Sequence, residues 1–246
     1  MKITAPYGYG EIVPLRKDQR VRLHAGATPA FCRQLNAIAV SAAEFVAAAR
    51  DYPVVFMTLD GGKSFAPAAV TGLDAQSNLF IDSAGEWDRG TYLPAFVRRY
   101  PFCISKLYVD GVAQGERVVC VAAESVDAAG EALFAADGEP SAAWREAERL
   151  LAEFEADLDR TAAACAALAR LRLIEPFTME VLAEDRSQVR LAGMYRVTEA
   201  RLRDQKPSTH KMLVERGLMG LLYAHLHSLD NFSRLAARRR SGGGRG

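Results

Sequence analysis

The chain has 246 residues, 50% of them apolar and 25% charged, enough for one large core or two smaller ones without disulfide or metal staples. Its 31 Lys and Arg nearly cancel its 30 Asp and Glu, so no global field draws it to nucleic acid or anionic lipid. No stretch approaches the roughly 18 unbroken apolar residues of a membrane span, and Met1 to Tyr7 lacks the apolar region of a secretory signal, so the expected location is the cytoplasm.

In chain order, residues 1–23 read as an extended lead-in whose basic Arg16, Lys17, Arg20 and Arg22 suit an edge strand. Phe31 to Val40 reads as a short strand. Ser41 and Glu44 then form a capping box that opens a helix over 42–50. Val54 to Leu59 and Phe65 to Leu73 read as strands flanking an Asp60-Gly61-Gly62 turn, with Pro67 placing the second at an edge or a bulge. Asp60 to Ser64 lacks the glycine spacing and the following helix of a phosphate loop. A third strand is expected over Leu79 to Asp82. Tyr92 to Tyr100 is expected as a short helix opened by Pro94 and stopped by Pro101. Strands over 103–109 and 117–123 follow, around the Asp110-Gly111 turn.

Residues 128–140 change to Ala, Gly, Asp and Glu and read as a connector. The longest helical pattern then runs over 141–173, with Trp144, Ala147, Leu151, Phe154, Leu158, Thr161, Cys165 and Leu168 on one stripe. Core packing is the first use for this stripe, and a homodimer seam is the alternative. A hairpin over 178–183 and 189–194 turns at Glu184 to Ser187, Thr198 caps a short helix over 199–204, and helices over 209–217 and 218–239 close the chain. The Gly-rich end, 241–246, is expected to be disordered. The expected fold is therefore α+β: a mostly antiparallel sheet with packed helices in 1–127, then a helix-rich half, 141–240, holding a small hairpin.

Little in the chain signals chemistry. Cys32, Cys103, Cys120 and Cys165 form no CxxC pair, and their apolar neighbours suit reduced core thiols. His225 and His227 point to different helix faces, so no metal is expected. No cofactor and no catalytic residue can be assigned. Asp82, Glu86 and Asp88 surround Trp87 as turn acids. The best binding candidates are Asp82, Trp87, Tyr92, Arg98, Arg99 and Tyr100, with Tyr195 and Arg196. Aromatic and Arg side chains of this kind anchor protein or peptide interfaces, and their competing role is to brace the fold.

Several tracts resemble one known family. They are Asn36 to Val40 with Glu44-Phe45, Tyr52 to Phe56, Asn78 to Asp82, Trp87, Tyr92 to Phe96 and Arg98 to Phe102. In the C-terminal half they are Gly193 to Val197, Glu199, Leu202 and Tyr223 to Leu226 with Ser228-Leu229. Together they are similar to the SapC family of bacterial proteins over about residues 20–236. The resemblance implies association with a bacterial surface layer or with peptide and nutrient handling, and it carries no agreed catalytic residues. The function it implies is a non-catalytic accessory protein with a protein or peptide partner. An enzyme acting on a peptide or small molecule through the Trp87 and Arg98 region is the alternative.

Overall fold

A computed structural model describes residues 2–24, 27–58, 60–109, 112–182 and 188–243. In its first part, strands β1 (Lys2–Ile3), β2 (Ile12–Pro14), β3 (Arg20–Val21) and β4 (Ala37–Ala39) lead to helix α1 (Phe45–Ala48) and strands β5 (Val54–Met57) and β6 (Ala66–Val70). Helix α2 (Ala95–Arg98), strands β7 (Phe102–Val109), β8 (Val112–Ala122) and β9 (Glu131–Ala132), and the long helix α3 (Ala142–Arg170) follow. The chain continues with β10 (Ile174–Leu182), β11 (Gln188–Val197), α4 (Glu199–Arg203), α5 (Pro207–Glu215), α6 (Leu218–Ser228) and α7 (Asn231–Gly243). The fold is α+β with antiparallel sheets. Among the described residues no helix is long and apolar enough to cross a membrane.

The chain forms two compact units, each drawn from two stretches: Met1–Cys32 with Ala95–Ala156, and Arg33–Pro94 with Asp157–Gly246. The first is built on a four-stranded sheet in the order β1-β7-β8-β2. Phe102 and Val121 stand opposite each other across β7 and β8, and with Val21, Leu133, Trp144 and Leu151 they form its core. Trp144 meets Phe102 edge to face at 5.3 Å, which seats the first turns of α3. The hairpin turn expected at Asp110-Gly111 lies outside the described residues.

The α3 stripe is core. Leu151 is 2% exposed, and Trp144, Phe154, Thr161, Cys165 and Leu168 are also buried, which removes from the surface the residues that a dimer seam along this stripe would need. Leu151→Asp is therefore expected to cost more than about 4 kcal/mol, because it buries an unpaired carboxylate among apolar side chains. Circular dichroism should show an unfolded chain. A folded monomer would place Leu151 at the surface.

The second unit holds a five-stranded sheet in the order β10-β11-β5-β6-β4. The late hairpin thus completes a sheet begun by the early strands, and its expected turn, 183–187, lies outside the described residues. Pro67 sits in β6, an interior strand, rather than at an edge. Its missing N–H faces Val40, whose own N–H donates to Pro67 O at 3.2 Å, just past the end of β4 where the ladder stops.

β11 meets β5 through the pair Tyr195 and Phe56, so Val197 and Val54 are opposite each other two residues further along the same register. They are not bonded to each other. His225 of α6 stands between them: Val197 N–H donates to Nε2 at 3.0 Å, and Nδ1 lies 2.7 Å from Val54 O. Nε2 accepts, so the proton sits on Nδ1 and donates to Val54 O. Ser228 Oγ takes the Val54 N–H at 2.9 Å. An imidazole and a hydroxyl therefore replace the rung that a continuous ladder would supply.

Four expected elements differ. The strand expected over Phe31 to Val40 opens as a 3-10 helix over Ala30–Gln34 and narrows to β4. Leu79 to Asp82 is no strand; Ile81 pairs with Trp87 in an isolated bridge, since Asn78 Oδ1 takes the Phe80 N–H at 3.0 Å and Asp82 Oδ1 takes the Glu86 N–H at 2.9 Å. These side chains satisfy backbone donors that a ladder would otherwise bind. The helix expected over 92–100 shortens to α2. The last expected helix breaks between Ser228 and Asn231, where Asn231 Nδ2 donates to Ala49 O at 2.8 Å and Tyr52 O at 3.1 Å. α7 continues through Gly243, so the first Gly-rich tail residues are helical, and 244–246 lie outside the described residues.

Candidate functional site

The residues expected to form one binding surface are divided between the units. Arg98, Arg99 and Tyr100 belong to the first, and Asp82, Trp87, Tyr92, Tyr195 and Arg196 to the second. Arg98 is exposed at the end of α2. The Arg99 side chain is only 5% exposed, with Glu155 Oε1 at 4.0 Å. Its guanidinium lies over the rings of Phe154 (4.4 Å), Phe96 (4.9 Å) and Tyr9 (5.8 Å). Tyr100 Oη donates to Glu124 Oε1 at 2.5 Å; burial, then this carboxylate partner, pushes its pKa up to about 12.

In the second unit Trp87 is 7% exposed. Its indole N–H lies 3.1 Å from Tyr52 Oη and 3.2 Å from Thr91 Oγ1, and its ring stacks on Phe80. Tyr52 Oη donates to Tyr92 O, and burial pushes its pKa up to about 12. Tyr92 Oη donates to Glu44 Oε1 at 3.0 Å, and the Glu44 carboxylate also takes the Ser41 N–H at 2.8 Å, as a capping box requires. These two aromatics tie the 78–94 segment to α1. Arg238 of α7 adds a clamp, with Nη2 2.7 Å from Asp88 Oδ2 and its guanidinium 4.3 Å over Phe80.

Tyr195 packs against Phe65 at 5.0 Å, and Arg196 pairs with Glu175 at 3.3 Å while covering Phe177. Asp82 closes its own turn. Asp60 behaves in the same way: it accepts the Ser64 hydroxyl at 2.5 Å and the Ser64 and Lys63 N–H groups at 2.8 and 3.0 Å, and these bonds, the Ser64 hydroxyl first, hold its carboxyl down at about 2. Gly61 and Gly62 take φ of 71° and 93° in this turn, the left-handed region glycine enters without strain.

An accessible concavity lies elsewhere in the second unit. A groove of about 280 Å³ is lined by Glu199, Leu202, Arg203, His210, Met219 and Tyr223. Tyr223 is 43% exposed, and Val214 nearby on α5 is 61% exposed. His210 Nε2 stands 2.8 Å from Leu202 O, which fixes α5 against α4. Leu202 and Met219 make an apolar floor, Tyr223 a wall, and Arg203, Glu199 and His210 a polar rim. Met adapts to irregular partners, and Tyr offers a rigid apolar face with a polar end. The signal was present in the sequence as an aromatic lying off the buried face of α6, at the i+4 position from Met219.

The SapC family model matches residues 16–235, which includes every residue of this groove. The chain belongs to the SapC family. No curated protein and no solved structure matches it significantly. Of the tracts that carried the resemblance, those in this SapC chain around Trp87, Tyr92 and Arg99 to Phe102 are largely buried, so they shape the interior. Among its described residues, no group of three or more His, Cys, Asp or Glu is placed to hold a metal ion.

Proposed function

We propose that this SapC family member is a non-catalytic accessory protein that receives a peptide or protein segment in the groove between α4, α5 and α6, in support of surface-layer or peptide and nutrient handling. The observation that carries this reading is the open groove, where the exposed Tyr223 ring stands beside Met219 over an apolar floor. Such a site takes one or two apolar side chains while the charged rim meets the partner's backbone. Trp87, on which an enzymatic reading rests together with Arg98, does not favour it: the ring is buried with its N–H bonded to Tyr52 Oη.

The test places a photo-crosslinking residue at Tyr223 and identifies bound polypeptides by mass spectrometry, alongside capture by the Tyr223→Ala protein. Crosslinking to a defined segment is expected, together with at least a tenfold weaker capture by Tyr223→Ala, about the 1.4 kcal/mol or more of an aromatic hot spot. The melting temperature should stay within a few degrees. Unchanged capture, or a retained small molecule without a polypeptide, would overturn the reading.

A further inference from the structure

The sequence places Cys103 and Cys120 far apart, but the antiparallel register of β7 and β8 sets them directly opposite each other, on the two central strands of the first unit's sheet. Both are 0% exposed and both are free thiols. The Ala122 N–H donates to Pro101 O at 2.9 Å, which makes Pro101 and Ala122 a hydrogen-bonded site. Cys103 and Cys120, two residues along, occupy the next such site, where Cα atoms stand about 5.5 Å apart. That separation lies within the roughly 4.4–6.8 Å that a disulfide spans. Their Cβ atoms begin slightly wider than in a relaxed bridge, so closing the bond draws the strands together and leaves it easily reduced.

We propose that Cys103 and Cys120 are a thiol–disulfide couple, closing into a covalent rung across the centre of the sheet when the chain folds in contact with a small oxidising disulfide. One cysteine thiolate attacks oxidised glutathione, forming a mixed disulfide and releasing one glutathione thiolate. The second cysteine thiolate then attacks the protein-bound sulfur and displaces the other glutathione. Two protein thiols lose two protons and two electrons, and one glutathione disulfide becomes two glutathione thiols. Burial pushes the Cys103 thiol up to about 12 and raises that of Cys120 as well, so neither is a nucleophile inside the finished sheet at neutral pH. The exchange belongs to the folding chain, before the hairpin is covered. In a reducing cytosol the pair stays as thiols, which makes its state a record of where the protein folded.

The experiment refolds the full chain from urea, or synthesises it cell-free, with oxidised and reduced glutathione, blocks free thiols in denaturant, and maps disulfides by mass spectrometry. The expected product has lost two of its four thiols, with one Cys103–Cys120 linkage. The Cys32→Ala/Cys165→Ala chain is expected to lose both remaining thiols. Four free thiols after oxidative folding, or a linkage using Cys32 or Cys165 in place of this pair, would overturn the proposal.

Discussion

Replacing His225 with alanine is expected to destabilise the protein by about 3–5 kcal/mol. The side chain is fully buried, so truncation leaves a cavity and strands the Val197 N–H and the Val54 C=O, each an unsatisfied group costing about 1–3 kcal/mol. Urea midpoints of the two proteins at neutral pH measure the loss. A change below about 1 kcal/mol would show that β5 and β11 close without the imidazole. The same node sets a pH dependence. Burial, opposed by the two backbone bonds and aided by Arg196, lowers the His225 pKa below its ordinary 6.5. The unfolded chain therefore takes up a proton that the native state refuses, and stability falls as pH drops below about 6.5, continuing until the folded pKa is reached. A protonated ring would also aim Nε2–H at the Val197 N–H. His225→Gln, which does not titrate, is expected to lose less stability than wild type between pH 7.5 and 5. Equal losses would remove His225 from the account.

Arg99→Ala is expected to cost about 3 kcal/mol, whereas Arg98→Ala costs about 1 kcal/mol or less. Arg99 fills a space between Phe154, Phe96 and Tyr9, so truncation opens a cavity and removes a buried cation from Glu155. Glu155 keeps Arg117, whose Nη1 is 2.5 Å away, which limits the damage. The Arg99 Nε is buried without a hydrogen-bond partner, so a fully apolar replacement gives up less than its charge suggests. Arg99→Met should retain most of the stability, within about 1.5 kcal/mol of wild type. Thermal melts of the three variants decide: an Arg99→Ala protein as stable as wild type would return Arg99 to the surface and to partner binding.

Local pattern was legible in proportion to how much of it repeats along the chain. Helix α3 emerged nearly to its ends, because Trp144, Ala147, Leu151, Phe154, Leu158, Thr161, Cys165 and Leu168 recur at spacings of three and four. Strands β5, β7 and β8 emerged from apolar runs bounded by turns. The Ser41 and Glu44 cap emerged from two residues three apart. The apolar run Leu79-Phe80-Ile81 misled, because Asn78 and Asp82 take the backbone donors that a strand would need, and hydropathy does not register that competition. The aromatic and Arg residues around Trp87 carried two readings that composition cannot separate. An interface anchor and a core brace are the same side chains, and only burial distinguishes Arg99 and Trp87 from Tyr223.

The sequence by itself determined the α+β class, the family, the long buried helix and the absence of a familiar catalytic motif, since each depends on residues near one another or on a recurrent tract. Tertiary structure decided which residues face each other across long separations. It joined β11 to β5, set His225 into their gap, brought Cys103 opposite Cys120, buried Arg99, and left Tyr223 open above Met219. Those outcomes follow from register and from competition for a limited interior. Both depend on where the whole chain places its backbone donors and apolar faces, and no window of neighbouring residues contains that information.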